Sequence, residues 1–482
     1  MDLAQFTAEL ESVERDLNLE TYKQYAGVPY SEAVMRERSA RLETLAREGL
    51  ARFPPERLPR LLLFALVNGR DAAEHTRLAN EVYRLRNEAV TMTVAGETVN
   101  LNTVRRFNHA HLRDPALRRK VFDGLMEAAR ALTPILERKF DLTRRTHAAH
   151  GLDPLAVYCE EEQVSLDTLR RVVDTSARLA KPEFQKMSDR LTPEVLGKER
   201  MEYHDDMYVY RHEIYAPFDA VFKDLDYVRQ MKEVARGLGF AVDAIAIDGE
   251  PREGKYASPV CFGIRIPGDV RVLYQRTSPF GDYESFWHEM GHGLHFASVD
   301  PARPYWDRHL IPNGVAEIFS TLLEELALSP DFLREELALP DETVRAVLER
   351  RRFMELFFLT FYGANSMHKV RYWSEGLTMA EADEAYADLT EQYLGVRYPG
   401  RYWQTHHILS MSTVYAPSYL LANIRKSELM ASLRKRFGRL WWRDPDAGAW
   451  LREEAMGPGA AIRLDAFSRL DPEPYLQTVF RQ

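Results

Sequence analysis

Apolar residues recur every three or four positions along most of this chain, and this periodicity constrains its fold more than any other feature. In the stretch 117–140 the recurring residues are Leu117, Val121, Leu125, Leu132 and Leu136. That spacing keeps one face of a helix apolar. Similar patterns occupy the ranges 36–50, 166–179, 344–361 and 416–437. The sequence therefore predicts a mainly α-helical fold. Because 482 residues exceed one ordinary compact domain, we expect two or more lobes.

Two short segments have the composition of β-hairpins. One is 89–101, with Ala95-Gly96 at its turn, and the other is 260–274, with Pro267-Gly268-Asp269 at its turn. An exposed edge of the second hairpin could pair with the backbone of an extended peptide; a hairpin whose edge is covered is an equal alternative. Loop-like composition near 151–154 predicts a boundary between an N-terminal helical region, 1–150, and a catalytic region, 151–482.

The charge balance argues against a nucleic-acid partner. Lys and Arg number 64 against 73 Asp and Glu, a net charge of −9, whereas nucleic-acid binders show a basic excess or stripe. No apolar run approaches membrane-spanning length, and the amino terminus lacks the pattern of a secretory signal. We therefore expect a cytoplasmic protein without a membrane partner. The two cysteines form no C-x-x-C pair, so neither a disulfide framework nor a cysteine zinc site is indicated.

The segment His288-Glu289-Met290-Gly291-His292 carries the spacing of a metal site. Two histidines four residues apart project from one face of a helix, so both imidazoles can bind one Zn²⁺ ion. Asp282 is a plausible N-cap for this helix. Glu289 would lie beside the metal, where it can take a proton from zinc-bound water. Apolar neighbours such as Trp287 argue against a solvated helix that carries histidines by accident.

A catalytic zinc site needs a third protein ligand, and Glu317 is the candidate. It stands in an otherwise apolar helical stretch, where a carboxylate is costly unless it is paired or bound to a metal. Glu324 lies two turns further on the same face, where it could accept a hydrogen bond from a ligand histidine, although the neighbouring Glu325 remains an alternative. His295 is one turn beyond the second histidine, so we assign it to packing or to a supporting role.

Further potential ligands stand at Tyr203-His204-Asp205-Asp206 and Arg211-His212-Glu213. They lack paired spacing and lie among tyrosines, so we expect a solvated or channel-lining segment instead of a second metal site. The chain contains no G-x-S-x-G, G-x-x-x-x-G-K or G-x-G-x-x-G motif, which leaves serine hydrolases, nucleotide binders and dehydrogenases without support.

The sequence H-E-M-G-H-G-L-H at 288–295, followed by E-I-F-S at 317–320, resembles the thimet oligopeptidase and oligoendopeptidase F family of zinc peptidases. That family has H-E-x-G-H-x-x-H and then E-x-x-S at this spacing. The resemblance is strongest over 249–326 and weaker up to residue 437. It implies two helical lobes around a deep substrate channel, a small β-hairpin or sheet next to the metal helix, and access for short peptides only.

The resemblance also implies histidine and tyrosine side chains that stabilise the oxyanion of the reaction. His407 and Tyr419 match the family's spacing of twelve residues, and Tyr415 is a second candidate. The chain lacks the family's glycine-rich run before the tyrosines and has Pro417 between them, so which tyrosine acts stays open. The alternative is a solvent-exposed histidine beside two packed tyrosines.

We therefore predict a zinc-dependent oligoendopeptidase that hydrolyses short peptides. Glu289 would deprotonate a zinc-bound water for attack on the peptide carbonyl, and His407 with one or both tyrosines would stabilise the oxyanion. An alternative is a carboxypeptidase or peptidyl-dipeptidase that acts from the free C-terminus, with Arg397 or Arg425 binding the carboxylate. An inactive peptide-binding protein is the alternative from another class.

Overall fold

A computed structural model describes residues 2–94, 96–205 and 213–481. Helices make up 71% of the structure and strands 5%, which confirms the prediction of a mainly α fold with a small hairpin. None of the helices in these ranges combines the length and apolarity needed to cross a membrane. Of the possible ligands near residue 205, those in 206–212 lie outside the described residues.

Among the described residues, the first part of the chain forms nine α-helices and one hairpin. In order they are α1 (Leu3–Tyr25), α2 (Glu32–Arg52), α3 (Arg60–Gly69), α4 (Ala72–Glu88), β1 (Thr91–Val94), β2 (Glu97–Asn100), α5 (Val104–Ala110), α6 (Pro115–Ala128), α7 (Thr133–Ala148), α8 (Pro154–Glu161) and α9 (Leu166–Leu196).

The second part contains the remaining strands and helices. In order they are α10 (Asp219–Phe222), α11 (Tyr227–Gly237), β3 (Ile245–Asp248), β4 (Val260–Arg265), β5 (Asp269–Leu273), α12 (Pro279–Ser298), α13 (Tyr305–His309), α14 (Asn313–Ala327), α15 (Pro330–Glu335), α16 (Asp341–Ser374), α17 (Met379–Leu394), α18 (Tyr402–Thr405), α19 (His407–Met411), α20 (Ala416–Phe437), α21 (Pro445–Trp450) and α22 (Pro472–Arg481).

The apolar periodicity locates the long helices but misses one break. The predicted helical stretch 117–140 is divided between α6 and α7, which are joined by a 3-10 turn at 129–132. Pro134 stands in the first turn of α7. Its ring has no N–H to continue the preceding helix, but the first turn of a new helix does not need that N–H. The period alone cannot reveal such a break, because both helices keep their apolar faces in register with the core.

Both predicted hairpins are present. β1 and β2 pair antiparallel, from Thr91↔Asn100 to Val94↔Glu97. β4 and β5 also pair antiparallel, and β3 pairs parallel with the other side of β5, giving the strand order β3-β5-β4. The prediction did not include β3, because four residues are too few for an alternating pattern to stand out. Since β5 is the central strand, β4 is an edge strand of this sheet.

The chain divides into two compact units, each built from discontinuous segments. Unit 1 contains Met1–Ala73, Phe218–Arg345 and Ala422–Leu470, and unit 2 contains Glu74–Pro217, Ala346–Leu421 and Asp471–Gln482. The predicted regions 1–150 and 151–482 each contribute to both units. The turn residues near 151–154 lie between α7 and α8, two helices of unit 2. Turn composition marks a change of chain direction and does not distinguish a loop within a unit from a linker.

Candidate metal centre

Helix α12 carries the histidine pair and is buried in unit 1. Phe286, Trp287 and Met290 are inaccessible to solvent. The helix begins at Pro279 with Ser278 at the N-cap position, so the prediction of Asp282 as N-cap is wrong. Asp282 lies in the first turn and accepts hydrogen bonds from the backbone N–H groups of Thr277 and Ser278. A short polar side chain in the first turn can reach back to the N–H groups that precede the helix. In the sequence alone, such a residue cannot be distinguished from a true N-cap.

Helices α12 and α14 approach closely at Gly291. A Cβ atom added at Gly291 would lie 2.5 Å from the Ser320 Cα and closer still to the Phe319 carbonyl oxygen. Only glycine fits such an approach, because both obstructing groups belong to the backbone. By contrast, a Cβ at Gly293 would lie 3.4 Å from Val272 Cγ2, an ordinary van der Waals contact. The close approach brings the α14 carboxylates next to the α12 histidines.

Three predicted ligand atoms converge at this helix pair. Glu317 Oε2 lies 3.4 Å from His288 Nε2 and 3.7 Å from His292 Nε2. One ligand atom from each of the three residues lies within 4.8 Å of the others. Two atoms that each bind zinc at about 2.0–2.1 Å in tetrahedral geometry stand roughly 3.4 Å apart. The predicted ligand set is therefore brought together at a spacing that fits one zinc ion.

The choice between Glu324 and Glu325 follows from their partners. Glu324 Oε2 lies 2.9 Å from His288 Nδ1, the ring nitrogen that faces away from the ligand cluster. Glu325 Oε2 instead accepts a hydrogen bond of 2.9 Å from Lys426 Nζ. Glu324 is thus placed to fix the tautomer and orientation of the histidine ring, as predicted. Glu325 belongs instead to the ion pair with Lys426.

Ser320 orients Glu317, the predicted third ligand, through a contact that was not predicted from the sequence. Its Oγ donates a hydrogen bond of 2.9 Å to Glu317 Oε2, and Glu317 is only 5% exposed. In a helix the two residues stand one turn apart, so the serine can hold the carboxylate in one rotamer. The signal was present in the E-x-x-S spacing of 317–320, but the hydrogen bond requires the helix to be known.

Glu289, the predicted base, touches the edge of the sheet. The Cys261 backbone N–H of β4 donates a hydrogen bond of 2.8 Å to Glu289 Oε2. Burial raises the pKa of the Glu289 carboxyl to about 7, although this hydrogen bond opposes the rise. The contact joins residues far apart in sequence through a backbone group, so no residue pattern could have indicated it.

Burial also acts on the histidines of α12. It lowers the pKa of His292 to about 4 and that of His295 to about 3, so both rings are neutral at pH 7. Burial favours the neutral form of His288 too, but hydrogen bonds with Glu317 and Glu324 outweigh it and raise the pKa of His288 well above its usual range. His295 packs against Phe319 with ring centroids 4.3 Å apart, which agrees with the packing role expected for it.

A second cluster of potential ligands contains Glu202, His204 and Asp205. Lys198 Nζ lies 2.6 Å from carboxylate oxygens of both Glu202 and Asp205, and Arg118 forms a buried ion pair with Asp205. These two side chains already provide positive charge where an ion would bind. The described part of this cluster is therefore a network of ion pairs. His204 and Asp205 are buried, so the expectation of a solvated or channel-lining segment is wrong for these two residues.

The three predicted oxyanion donors belong to unit 2, whereas the three predicted metal ligands belong to unit 1. His407 is exposed at the start of α19, and its ring stacks on His406 with centroids 5.0 Å apart. The half-buried rings of Tyr415 and Tyr419 contact each other at 5.1 Å. Pro417 lies in the first turn of α20, where a proline is favourable, so it does not disturb the pair.

The arginines considered for a carboxyl-end peptidase are both engaged or buried. Arg397 forms ion pairs with Glu384, Asp388 and Glu391 at the surface of unit 2. Arg425, in unit 1, is only 1% exposed. These positions offer no specific support for an exopeptidase.

Comparisons with protein-family models and with curated proteins found no match to this chain. The assignment of function therefore depends on the geometry of the site and on the resemblance of its motifs.

Proposed function

We propose that this protein is a zinc metallopeptidase that cleaves short peptides internally. The observation that carries the proposal is the convergence of His288, His292 and Glu317, with Glu289 close enough to His288 and Glu317 for their charges to act on it. Two imidazoles and one carboxylate are the usual ligands of a catalytic zinc ion that keeps a fourth position open. A carboxylate next to such a site is the usual base for hydrolysis of peptide bonds.

The residues fit zinc in spacing and in donor chemistry. The oxygen-to-nitrogen distances of 3.4 and 3.7 Å match those between two ligands of one tetrahedral ion. Glu324 on the far nitrogen of His288 supplies the carboxylate–histidine arrangement that accompanies zinc ligands. When bound, zinc would act as a Lewis acid and lower the pKa of a coordinated water.

Glu289 would accept a proton from the attacking water and transfer it to the nitrogen of the leaving amine. A base with a pKa near neutrality suits both steps, and burial raises the pKa of Glu289 in that direction. Its contact with Cys261 places this carboxylate at the outer edge of β4. In an antiparallel strand the N–H and C=O of one residue point to the same side. The Cys261 carbonyl could therefore accept a hydrogen bond from a peptide laid along the edge.

The remaining parts of the proposal derive from the resemblance to the thimet oligopeptidase and oligoendopeptidase F family. His407 and one or both of Tyr415 and Tyr419 would donate hydrogen bonds to the oxyanion that forms on the peptide carbonyl. The same resemblance implies a channel that admits only short, unfolded peptides.

The test is mass spectrometry of a mixed short-peptide library incubated with zinc-loaded wild type and with Glu289→Gln. We expect internal cuts with wild type only, while both proteins retain stoichiometric zinc. Peptides with blocked termini separate the alternatives, because an enzyme acting from the free C-terminus would not cut them and an endopeptidase would. Loss of all cleavage from wild type with zinc still bound, or equal cleavage by both proteins, would refute the proposed chemistry.

A further inference from the structure

Two lysines are buried in the interior of unit 2. Lys369 in α16 is 0% exposed and Lys139 in α7 is 7% exposed. Among the residues that the structure describes, no carboxylate forms an ion pair with either. Burial of an ammonium group without a counter-ion is costly, so its hydrogen-bond partners must compensate for much of the lost hydration.

Those partners are backbone carbonyls of one short segment. Lys369 Nζ donates hydrogen bonds of 3.1 Å to the carbonyl oxygens of Leu409 and Ser412. Lys139 Nζ donates one of 2.8 Å to the carbonyl oxygen of Met411. Leu409 and Met411 are among the last residues of α19, where carbonyls have no partner within the helix and positive charge is favourable.

We call the contacts of Lys139 and Lys369 with the segment 409–413 the anchor, and aromatic rings complete it. Lys369 Nζ lies 4.3 Å and Lys139 Nζ 5.1 Å from the ring centroid of Phe140, within the range of cation–π contacts. Trp373 Nε1 donates a hydrogen bond of 3.0 Å to the Thr413 carbonyl oxygen. Four carbonyls between residues 409 and 413 are therefore held by side chains of α7 and α16.

We propose that Lys139 and Lys369 are positioning residues that fix the segment 409–413 and, through it, the oxyanion donors on either side. This inference rests on the proposed function. His407 stands at the start of α19, two residues before the first anchored carbonyl, and Tyr415 stands two residues after Thr413. Fixing the backbone between them fixes the Cα positions from which both side chains extend. Donors aimed at an oxyanion must be preorganised, because they contribute most when no rearrangement accompanies the reaction.

Burial also affects the charge of the anchor. It lowers the pKa of Lys139 to about 8, and burial together with the neighbouring Lys139 holds the pKa of Lys369 well below its usual range. A neutral amine still has two N–H groups, so the carbonyls keep their donors in either protonation state. The anchor therefore holds the segment through the geometry of its hydrogen bonds and does not require both lysines to be charged.

The experiment compares Lys369→Met and Lys139→Met with Lys181→Met as the matched control. Lys181 in α9 also donates hydrogen bonds to two backbone carbonyls of unit 2, those of Glu391 and Gln392, at the end of α17. We expect Lys369→Met to lower kcat by about 10- to 100-fold, since a misplacement of about 1 Å can cost 100-fold. KM should change by less than about threefold and zinc affinity should not change. Lys181→Met should retain wild-type kcat.

A double-mutant cycle separates positioning from a general loss of structure. In a His407→Ala/Tyr415→Phe background, Lys369→Met should cost much less kcat than in wild type, because the groups that it positions are gone. Hydrogen exchange should show faster exchange of peptides covering 409–415 in Lys369→Met, with the rest of the chain unchanged.

The outcomes distinguish the two proposals. Absence of cleavage by zinc-loaded wild type overturns the proposed function, and this inference with it. Cleavage by wild type together with full kcat in Lys369→Met, or an equal loss of kcat in both backgrounds, overturns the positioning role alone.

Discussion

The close approach of α12 and α14 leads to a sharp prediction for Gly291→Ala. The added methyl group would lie 2.5 Å from the Ser320 Cα and even nearer to the Phe319 carbonyl oxygen. Carbon atoms in contact normally stand about 3.5–4.0 Å apart. The two helices must therefore separate by about 1 Å, because neither obstructing backbone group can rotate out of the way. Glu317 stands one turn before Ser320, so it moves away from the histidines.

The magnitude has two parts. Overpacking of this kind costs about 1–3 kcal/mol, while replacing glycine by alanine inside a helix gains about 1 kcal/mol. We expect a net loss of stability of about 0–2 kcal/mol, which is about 1–3 kcal/mol less stable than a variant with the same helix gain and no clash. A metal site tolerates deviations of only about 0.2 Å in ligand distances. Displacement of the Glu317 carboxylate should therefore weaken zinc binding by about 10- to 100-fold, similar to the loss of a residue that orients a ligand.

Gly293→Ala is the matched control on the same helix. Its methyl group would make ordinary contacts with Val272 and Ile245, so it should be neutral or stabilise the protein by up to about 1 kcal/mol. Both variants gain the same helix propensity, so the difference between their free energies of unfolding isolates the cost of the clash. Thermal unfolding of the metal-free proteins measures stability, and competition with a chromophoric chelator measures zinc affinity. If Gly291→Ala matches Gly293→Ala in both measurements, the helices do not pack as described.

Two further predictions concern carboxylates. Glu324→Gln should lower zinc affinity about 10- to 100-fold in the same competition assay, because it weakens the acceptor that holds the predicted ligand His288. Glu325→Gln disturbs the ion pair with Lys426 instead, so it should lower the unfolding temperature and leave zinc affinity unchanged. Burial raises the pKa of Glu14 to about 7 from the usual 4.5, although the Tyr305 hydroxyl donates a hydrogen bond to it, so the wild type loses stability as the pH rises through this interval. Glu14→Gln should match wild type near pH 4.5 and become more stable by up to about 3 kcal/mol at pH 8; an unfolding-temperature difference that does not change with pH would contradict this.

The sequence predicted the parts of the site that depend on local geometry. Two histidines four residues apart share a helix face whatever surrounds the helix, and the structure places His288 and His292 accordingly. Glu317 followed from the cost of a carboxylate in an apolar stretch, a rule that needs no partner to be known. The helical periodicity likewise depends only on neighbouring turns, which is why most long helices were located.

The parts that the sequence could not provide depend on tertiary distance. The reason for a glycine at 291 is the backbone of α14, which lies 28 residues further along the chain at Phe319. The hydrogen bond from Cys261 to Glu289 uses a backbone N–H, which every residue except proline possesses. The units are discontinuous in sequence, so a boundary placed from turn composition at residue 150 follows a different division. In each case the missing information is which remote segment comes near.

The two clusters of potential metal ligands show why donor chemistry identifies a candidate metal site better than proximity does. Both bring three ligand atoms within the same distance of one another. In the cluster around Asp205, the ammonium group of Lys198 stands between two carboxylates at 2.6 Å from each, so a positive charge already occupies the centre. At the α12–α14 pair, the groups that meet Glu317 are imidazole nitrogens. Burial lowers the pKa of His292 to about 4, whereas at His288 burial is outweighed by hydrogen bonds with Glu317 and Glu324, which raise the pKa of this ring well above its usual range. A divalent transition metal binds the lone pair of a neutral imidazole, so metal binding would release the proton that His288 holds between Glu317 and Glu324. We therefore place the proposed zinc site at the histidine cluster and not at the cluster around Asp205.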